Sequence, residues 1–285
     1  LKQLSPLRFG ILLGFDLAVI ALAFAALARW PSVPVGAACV FVIGTRQHSL
    51  AILGHESTHF LVARRRWLND LVGNVVGFWP LFVTNEGYRR WHFQHHQTVG
   101  TGDDPERAVK RGRLYTLPLK PWQFVLIFVG DLVGLGIPEL ARLVYTIRPP
   151  SWSYYLGPAL LWTSFVLGAW WCHALWIPGV WVLATLTAFW SVYRIRSWAE
   201  HTGIGDQTYR FRAGPLLEFL FFPNKSSHHF EHHRWPSIPC YNLEKTRPLE
   251  DKVPVMSVRE MFRFFAGEPA VRTMVPAATA PEPAA

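Results

Sequence analysis

Apolar residues run almost unbroken over 9–28, with Asp16 the one charged position, and Lys2, Arg8, Arg29 and Trp30 flank the run. About 20 such residues suffice to cross a hydrocarbon core, so the pattern predicts a first spanning helix over 9–29. A Pro-containing turn then leads into 35–54, a second predicted span whose later half admits Arg46, Gln47 and His48. Two further spans are predicted over 154–172 and 176–193, where Trp and Tyr collect near the ends, as amphipathic rings do at headgroup level. The stretch 67–83 is interrupted by Asn69, Asp70, Asn74 and Pro80, which predicts an interfacial segment. Gly130, Asp131, Gly134, Gly136 and Pro138 break up 122–145, and a surface-lying or re-entrant helix fits that pattern better than a clean span. An Ala- and Pro-rich tail, 266–285, has the composition of disordered chain. The expected architecture is an all-α integral membrane protein of about four transmembrane helices plus interfacial helices. A single domain over 1–265 would carry a cytosolic helical cap built from 55–120 and 194–265.

Composition changes this picture little: 51% of the 285 residues are hydrophobic and 16% charged, an unusual balance for a soluble domain. The net charge of +9 raises nucleic-acid binding as a question, but its distribution answers against it. No Lys or Arg lies between Arg148 and Arg194, whereas basic residues crowd at 64–66, 89–90, 107–113 and in the C-terminal third. That asymmetry follows the positive-inside rule and puts the connection between the last two predicted spans outside the cell. Cys39, Cys172 and Cys240 are far apart and form no C-x-x-C, so neither a zinc ribbon nor a cysteine-held iron–sulfur cluster is encoded.

The chemistry is carried by histidines. His55 and His59 in GHESTH, His92, His95 and His96 in WHFQHH, and His229, His232 and His233 in HHFEHH recur at i, i+3 and i+4. Residues so spaced share one helix face, so each group presents two or three imidazoles to one place. Eight imidazoles exceed the four that one structural zinc takes, which predicts a two-metal site. Imidazole serves iron, zinc, copper and nickel alike; membrane location and apolar surroundings favour iron and oxygen chemistry as the use. Beside these ligands, Glu56, Asp103, Asp104, Glu200 and Glu231 are placed to accept the second N–H of a metal-bound imidazole.

At these residues the chain resembles the membrane fatty-acid desaturase superfamily, which includes lipid and alkane hydroxylases and carotenoid ketolases. The similarity runs over 46–243; HHFEHHRWPSIPCYNL, 228–243, is similar to the third histidine box and its tail, and HFQHHQTVGTGDDPE to the second box and its acidic turn. The resemblance implies two non-haem irons on the cytosolic side, with His201 in RSWAEH matching an extra ligand that brings the set to nine. Four residues earlier some relatives carry an Asn that holds a metal-bound water; here the position is Ser197. The resemblance further implies an oxygen-dependent desaturase acting on a membrane lipid or acyl-carrier substrate. Its electrons would come from a ferredoxin or a cytochrome b5-like donor, since no haem, flavin or cluster motif is fused to the chain.

Three rival readings remain. A di-iron hydroxylase or ketolase acting on a lipid, alkane or carotenoid would use the same ligands. His55, Glu56 and His59 also spell H-E-x-x-H, the zinc metalloprotease signature, which would leave both H-x-x-H-H groups without purpose. A metal carrier would instead place ligands along a membrane path, where His173 stands alone; His48, His173 and His228 read as structural.

Overall fold

In the computed structural model the chain is all-α but for one short strand pair; the structure describes residues 1–110, 112–149, 151–202, 208, 210–250 and 255–268. Beyond residue 268 the tail expected to be disordered lies outside the described residues. In chain order the helices are α1 (Pro6–Arg29), α2 (Val33–Thr58), α3 (Arg66–Gly73), α4 (Asn85–Thr98), α5 (Pro105–Val109), α6 (Pro121–Leu132) and α7 (Ile137–Thr146). They continue with α8 (Leu156–Trp171), α9 (Trp176–Ala184), α10 (Trp190–His201), α11 (Pro215–Leu220), α12 (His229–Arg234), α13 (Cys240–Leu243) and α14 (Val258–Phe265).

Among the described residues, three helices are long and apolar enough to cross a membrane: α1 with 24 residues, α2 with 26, and Trp176–His201, where α9 and α10 run on through a π-helical turn, Thr185–Phe189, for 26. The span predicted over 154–172 differs. Its α-helix, α8, has 16 residues, about 24 Å at the usual rise and short of the hydrocarbon thickness. A 3-10 turn, Trp152–Tyr155, precedes it, and Pro158 falls in the first helical turn, where a missing N–H costs nothing. The interrupted stretch after residue 120 breaks as its glycines suggest: α6 and α7 turn through 76° across four residues. Gly134 adopts φ +92°, Leu135 N–H donates back to Gly130 O at 2.9 Å, and Pro138 lies at the start of α7, so a left-handed cap stops one helix as the next begins.

The chain divides into two compact units. The first is an apolar bundle, Leu4–Arg89 with Val129–Tyr193. Phe9 and Ile20 of α1 pack on Leu50 and Leu53 of α2, and Ala23, Cys39, Ile43 and Ala184 form a second contact layer. Several polar residues inside this bundle are paired, as lipid surroundings favour. Arg46 Nη1 meets Asp16 Oδ1 at 3.1 Å, Ser49 Oγ donates to Asp16 Oδ2 at 2.6 Å, and Gln47 Nε2 donates to Trp181 O at 2.9 Å. The segment expected to be interfacial is α3, a π-helical turn Asn74–Phe78 and a 3-10 turn Trp79–Leu81. Asn69, wholly buried, holds its entry by accepting from Val62 N–H and donating to Ala63 O and Arg65 O. Gly77 lets the π turn lie against α2, because a Cβ there would stand 2.9 Å from Gly54 Cα.

The second unit comprises Leu1–Gln3, Arg90–Phe128 and the described part of Arg194–Ala285. Its core gathers Leu119, Phe124, Trp198, Phe211, Phe222, Met261 and Phe265. A parallel strand pair joins Phe211 to Met256 and Arg212 to Ser257, and the Ser257–Glu260 capping box starts α14, whose Met261 and Phe265 close the core. Trp198 and Ala199 of α10 lie in this core, which fixes the register of that helix.

Candidate metal centre

Each ligand-bearing helix in the second unit has a local reason to form. Thr84 Oγ1 accepts from Gly87 N–H at the start of α4, which then presents His92, His95 and His96. Asp104 caps α5 by accepting from Glu106 N–H at 2.9 Å, with Pro105 at the first helical position. His201 ends α10, and His229, His232 and His233 all lie on the six-residue α12, where each is buried.

Four of these side chains, His95, His201, His229 and His233, converge so that one ring nitrogen from each lies within 4.8 Å of the other three. His229 Nε2 stands 2.9 Å from His201 Nε2, and ring centroids are 4.5 Å apart for His229 and His233 and 4.9 Å for His95 and His201. A second convergence lies in the same unit. His96 Nε2 is 2.9 Å from His92 Nε2 and 3.0 Å from His232 Nε2. Neutral imidazole has one donor and one acceptor, so three mutually facing Nε2 atoms cannot all be satisfied by protons on one another. In the bundle, His55 and His59 form their own edge-to-face pair, with centroids 5.0 Å apart. His59 is the C-cap of α2 rather than part of its last full turn.

Electrostatics favour the ligand form. Burial, reinforced by the positive field of His201 and neighbouring bases, holds His229 well below the ordinary imidazole pKa; burial with His96 and His229 does the same to His233. Metal binding requires neutral imidazole, so neither residue must give up a proton near neutral pH. The donor set also fits a cation: His233 Nε2 is buried with no hydrogen-bond partner among the described residues. Donors bound to one ion at about 2.1 Å stand roughly 3 to 4 Å apart, the scale of the spacings found here.

Carboxylates surround this group. Asp104 Oδ1 is 2.9 Å from His95 Nδ1 while Oδ2 accepts from Gly100 N–H at 3.1 Å, as its position after the second box suggests. Burial would raise the Asp104 pKa, but the His95 contact outweighs it and keeps the group ionised. Glu200 Oε1 lies 3.5 Å from His229 Nδ1 and is held by Arg196 at 2.5 Å, while Oε2 meets Lys110 at 3.3 Å. Glu56 Oε1 lies 4.0 Å from His55 Nδ1. Glu231, although it stands between box histidines in sequence, faces Arg210 at 2.8 Å and Arg247 at 3.4 Å, because α12 turns it to the side opposite the imidazoles. Asp103 is exposed, and its carbonyl accepts from Gln94. Ser197 is fully buried, and its hydroxyl has no hydrogen-bond partner among the described residues.

Sequence reasoning missed two residues. Glu106 puts Oε2 3.2 Å from His95 Nε2 and 3.9 Å from His201 Nε2, and Lys110, one helical turn on, binds Glu106 Oε1 at 2.7 Å. The signal was present in the acidic turn DDPE followed by a lysine at i+4. A cavity of about 280 Å³ opens beside them, lined by Asp104, Glu106, Arg107, Lys110, Tyr115 and His201. The three histidines read as structural lie elsewhere. His48 packs edge-on against Phe189 and Tyr193, His173 is exposed at a left-handed turn, and His228, pushed down to about 4 by burial and by Arg247 and Lys225, contacts Ser227 Oγ at 3.1 Å.

Replacing Asp104 by Asn should weaken metal retention by about 10- to 100-fold, because the amide no longer fixes the His95 ring as an anionic acceptor. Metal released to a competing chelator checks this; retention equal to wild type would show that Asp104 serves only as a helix cap.

The helices and histidine clusters define an all-α membrane protein whose grouped imidazoles could hold metal. The family described as "Fatty acid desaturase" matches residues 28–265, and the chain belongs to that family. Among curated relatives it is 26% identical to the dihydrorhizobitoxine desaturase of Bradyrhizobium elkanii, over 89% of this chain and 79% of that one. It is 28% identical to a beta-carotene ketolase of Paracoccus sp. over 70% of this chain and 73% of the relative. Fatty acid desaturase 3 of Homo sapiens is 25% identical over 86% of this chain and 61% of its own length. Family and relatives together mark the chain as an oxidoreductase.

Proposed function

We propose that this protein is an oxygen-dependent di-iron desaturase that introduces a double bond into a fatty acyl chain. The convergence of His95, His201, His229 and His233 on one point carries the reading, together with membership of the fatty acid desaturase family. In it, His55, His59, His92, His95, His96, His201, His229, His232 and His233 hold two iron ions, on the cytosolic face of the membrane. When bound, iron supplies the oxygen-activating redox chemistry that unactivated C–H bonds require.

The chain's own residues supply the surroundings. Burial of His229 and His233 favours their unprotonated form. Asp104 and Glu200 orient His95 and His229 from outside. In balance, R–CH2–CH2–R with O2, two electrons and two protons gives R–CH=CH–R and two waters. The electrons come from a separate ferredoxin or cytochrome b5-like donor, which the exposed bases Arg90 and Arg107 are suited to receive if its surface is acidic.

One specific observation favours a second reading. The beta-carotene ketolase relative is as similar as the desaturases, and insertion of oxygen, R–H with O2, two electrons and two protons giving R–OH and water, needs the same ligands. The metalloprotease reading through His55, Glu56 and His59 loses ground because the family match spans all three residues.

Lipid analysis of a host expressing the chain, beside a His229→Ala control, separates these. New unsaturated acyl chains that vanish in the control are expected. Oxygenated products in their place would transfer the assignment to the hydroxylase or ketolase class, and iron-free purified protein with unaltered lipids would end both.

A further inference from the structure

We propose that Glu106 is an anionic ligand to the metal held by His95, His201, His229 and His233, positioned by Lys110. The inference deepens the reading given above and rests on it. It starts from His95, whose two ring nitrogens both face carboxylate oxygens: Nδ1 is 2.9 Å from Asp104 Oδ1 and Nε2 is 3.2 Å from Glu106 Oε2. An imidazole that donates Nδ1–H to Asp104 has a lone pair at Nε2. A lone pair facing an ionised oxygen at that distance is repulsive unless a proton or a cation lies between them. A cation held at Nε2 relieves that repulsion. Glu106 Oε2, 3.2 Å from Nε2, then stands beside the ion.

The rest of the cluster is arranged to keep Glu106 there. Oε1 is taken by Lys110 at 2.7 Å, so Oε2 is the atom turned to His95 and to His201 Nε2, 3.9 Å away. Lys110 also reaches Glu200 at 3.3 Å, which ties Glu106 to the carboxylate beside His229. Charge agrees. Asp104, Glu106 and Glu200 are opposed by Lys110 and Arg196, leaving one net negative charge among these five side chains to offset a cation in a shell of neutral imidazoles. Lys110 stands within ion-pair distance of Glu106 Oε1, a pairing that suits an anionic carboxylate. Glu231, a carboxylate inside the third box itself, is committed to Arg210 and Arg247.

The test uses the full chain in detergent, loaded with isotopically enriched iron, with iron content and Mössbauer spectra as readouts. Glu106→Gln keeps the shape and removes the charge. Bound iron is expected to fall from about two to about one per chain, or the signal of one iron to change while the other stays as in wild type. If Glu106→Gln does not yield folded protein, Glu106→Asp withdraws the same anion by one methylene and should alter the same single signal. Wild-type protein with two irons and a folded variant with unchanged content and spectrum would overturn the ligand assignment and leave the di-iron reading intact. Wild-type protein that binds no iron would overturn both.

Discussion

His233→Ala should abolish oxidation of the host's lipids, with a loss of at least about 100-fold, since residues that only orient metal ligands already cost about 10- to 100-fold. His233 lies between the convergent groups. Its ring is 4.5 Å from His229, 4.9 Å from His201 and 5.1 Å from His95, and it stacks on His96 at 4.2 Å. Its Nε2 has no partner among the described residues, so the side chain contributes little to the fold without metal. Removing a buried polar atom that lacks a partner relieves about 1–3 kcal/mol, which offsets part of the cavity left behind. The metal-free variant should therefore melt within a few degrees of metal-free wild type, whereas the extra stability gained on adding iron should be smaller than in wild type. Thermal unfolding with and without iron checks the split. A variant that unfolds in both states would make His233 a packing residue, and one that retains full activity would remove it from the ligand set.

Asp16→Ala is expected to have the largest effect on stability, about 3–5 kcal/mol, the usual consequence of leaving one partner of a buried ion pair uncompensated. Asp16 and Arg46 are both almost fully buried, within helices long and apolar enough to cross a membrane. Arg46 Nη1 donates to Asp16 Oδ1, Arg46 Nε donates to Thr45 Oγ1 at 3.3 Å, and Ser49 donates to the second carboxylate oxygen. Truncation strands the guanidinium between apolar helices. Replacing both residues, Asp16→Leu with Arg46→Met, should recover most of the loss, because apolar side chains of similar volume avoid the desolvation cost altogether. Unfolding in detergent and in lipid bilayers measures both variants. A single mutant as stable as wild type would mean that water or lipid headgroups reach the pair.

The ion pair also illustrates what a sequence reading can and cannot reach. Asp16 stood out as the one charge in the first apolar run, and Arg46 as a charge within the second, yet nothing local joined them across 30 positions. The carboxylates behaved alike. Asp104 and Glu200 were nominated for imidazole partners and have them, and Glu231 was nominated on the same grounds and pairs with Arg210 instead. Glu106, passed over, makes the shortest ring-nitrogen contact after that of Asp104 among the carboxylates described.

Sequence by itself determined that the chain is helical and membrane-embedded, and that its histidines come in groups able to share a helix face. Those properties follow from runs of apolar residues and from the helical repeat, both of which act over a few turns. Only the tertiary structure decided that His95 joins His201, His229 and His233 while His96 turns to His92 and His232, and which acid faces which ring. Adjacent helical residues point about 100° apart, so His95 and His96 must serve different neighbours. Which neighbours those are depends on how segments more than a hundred residues apart pack, and no local pattern encodes that distance.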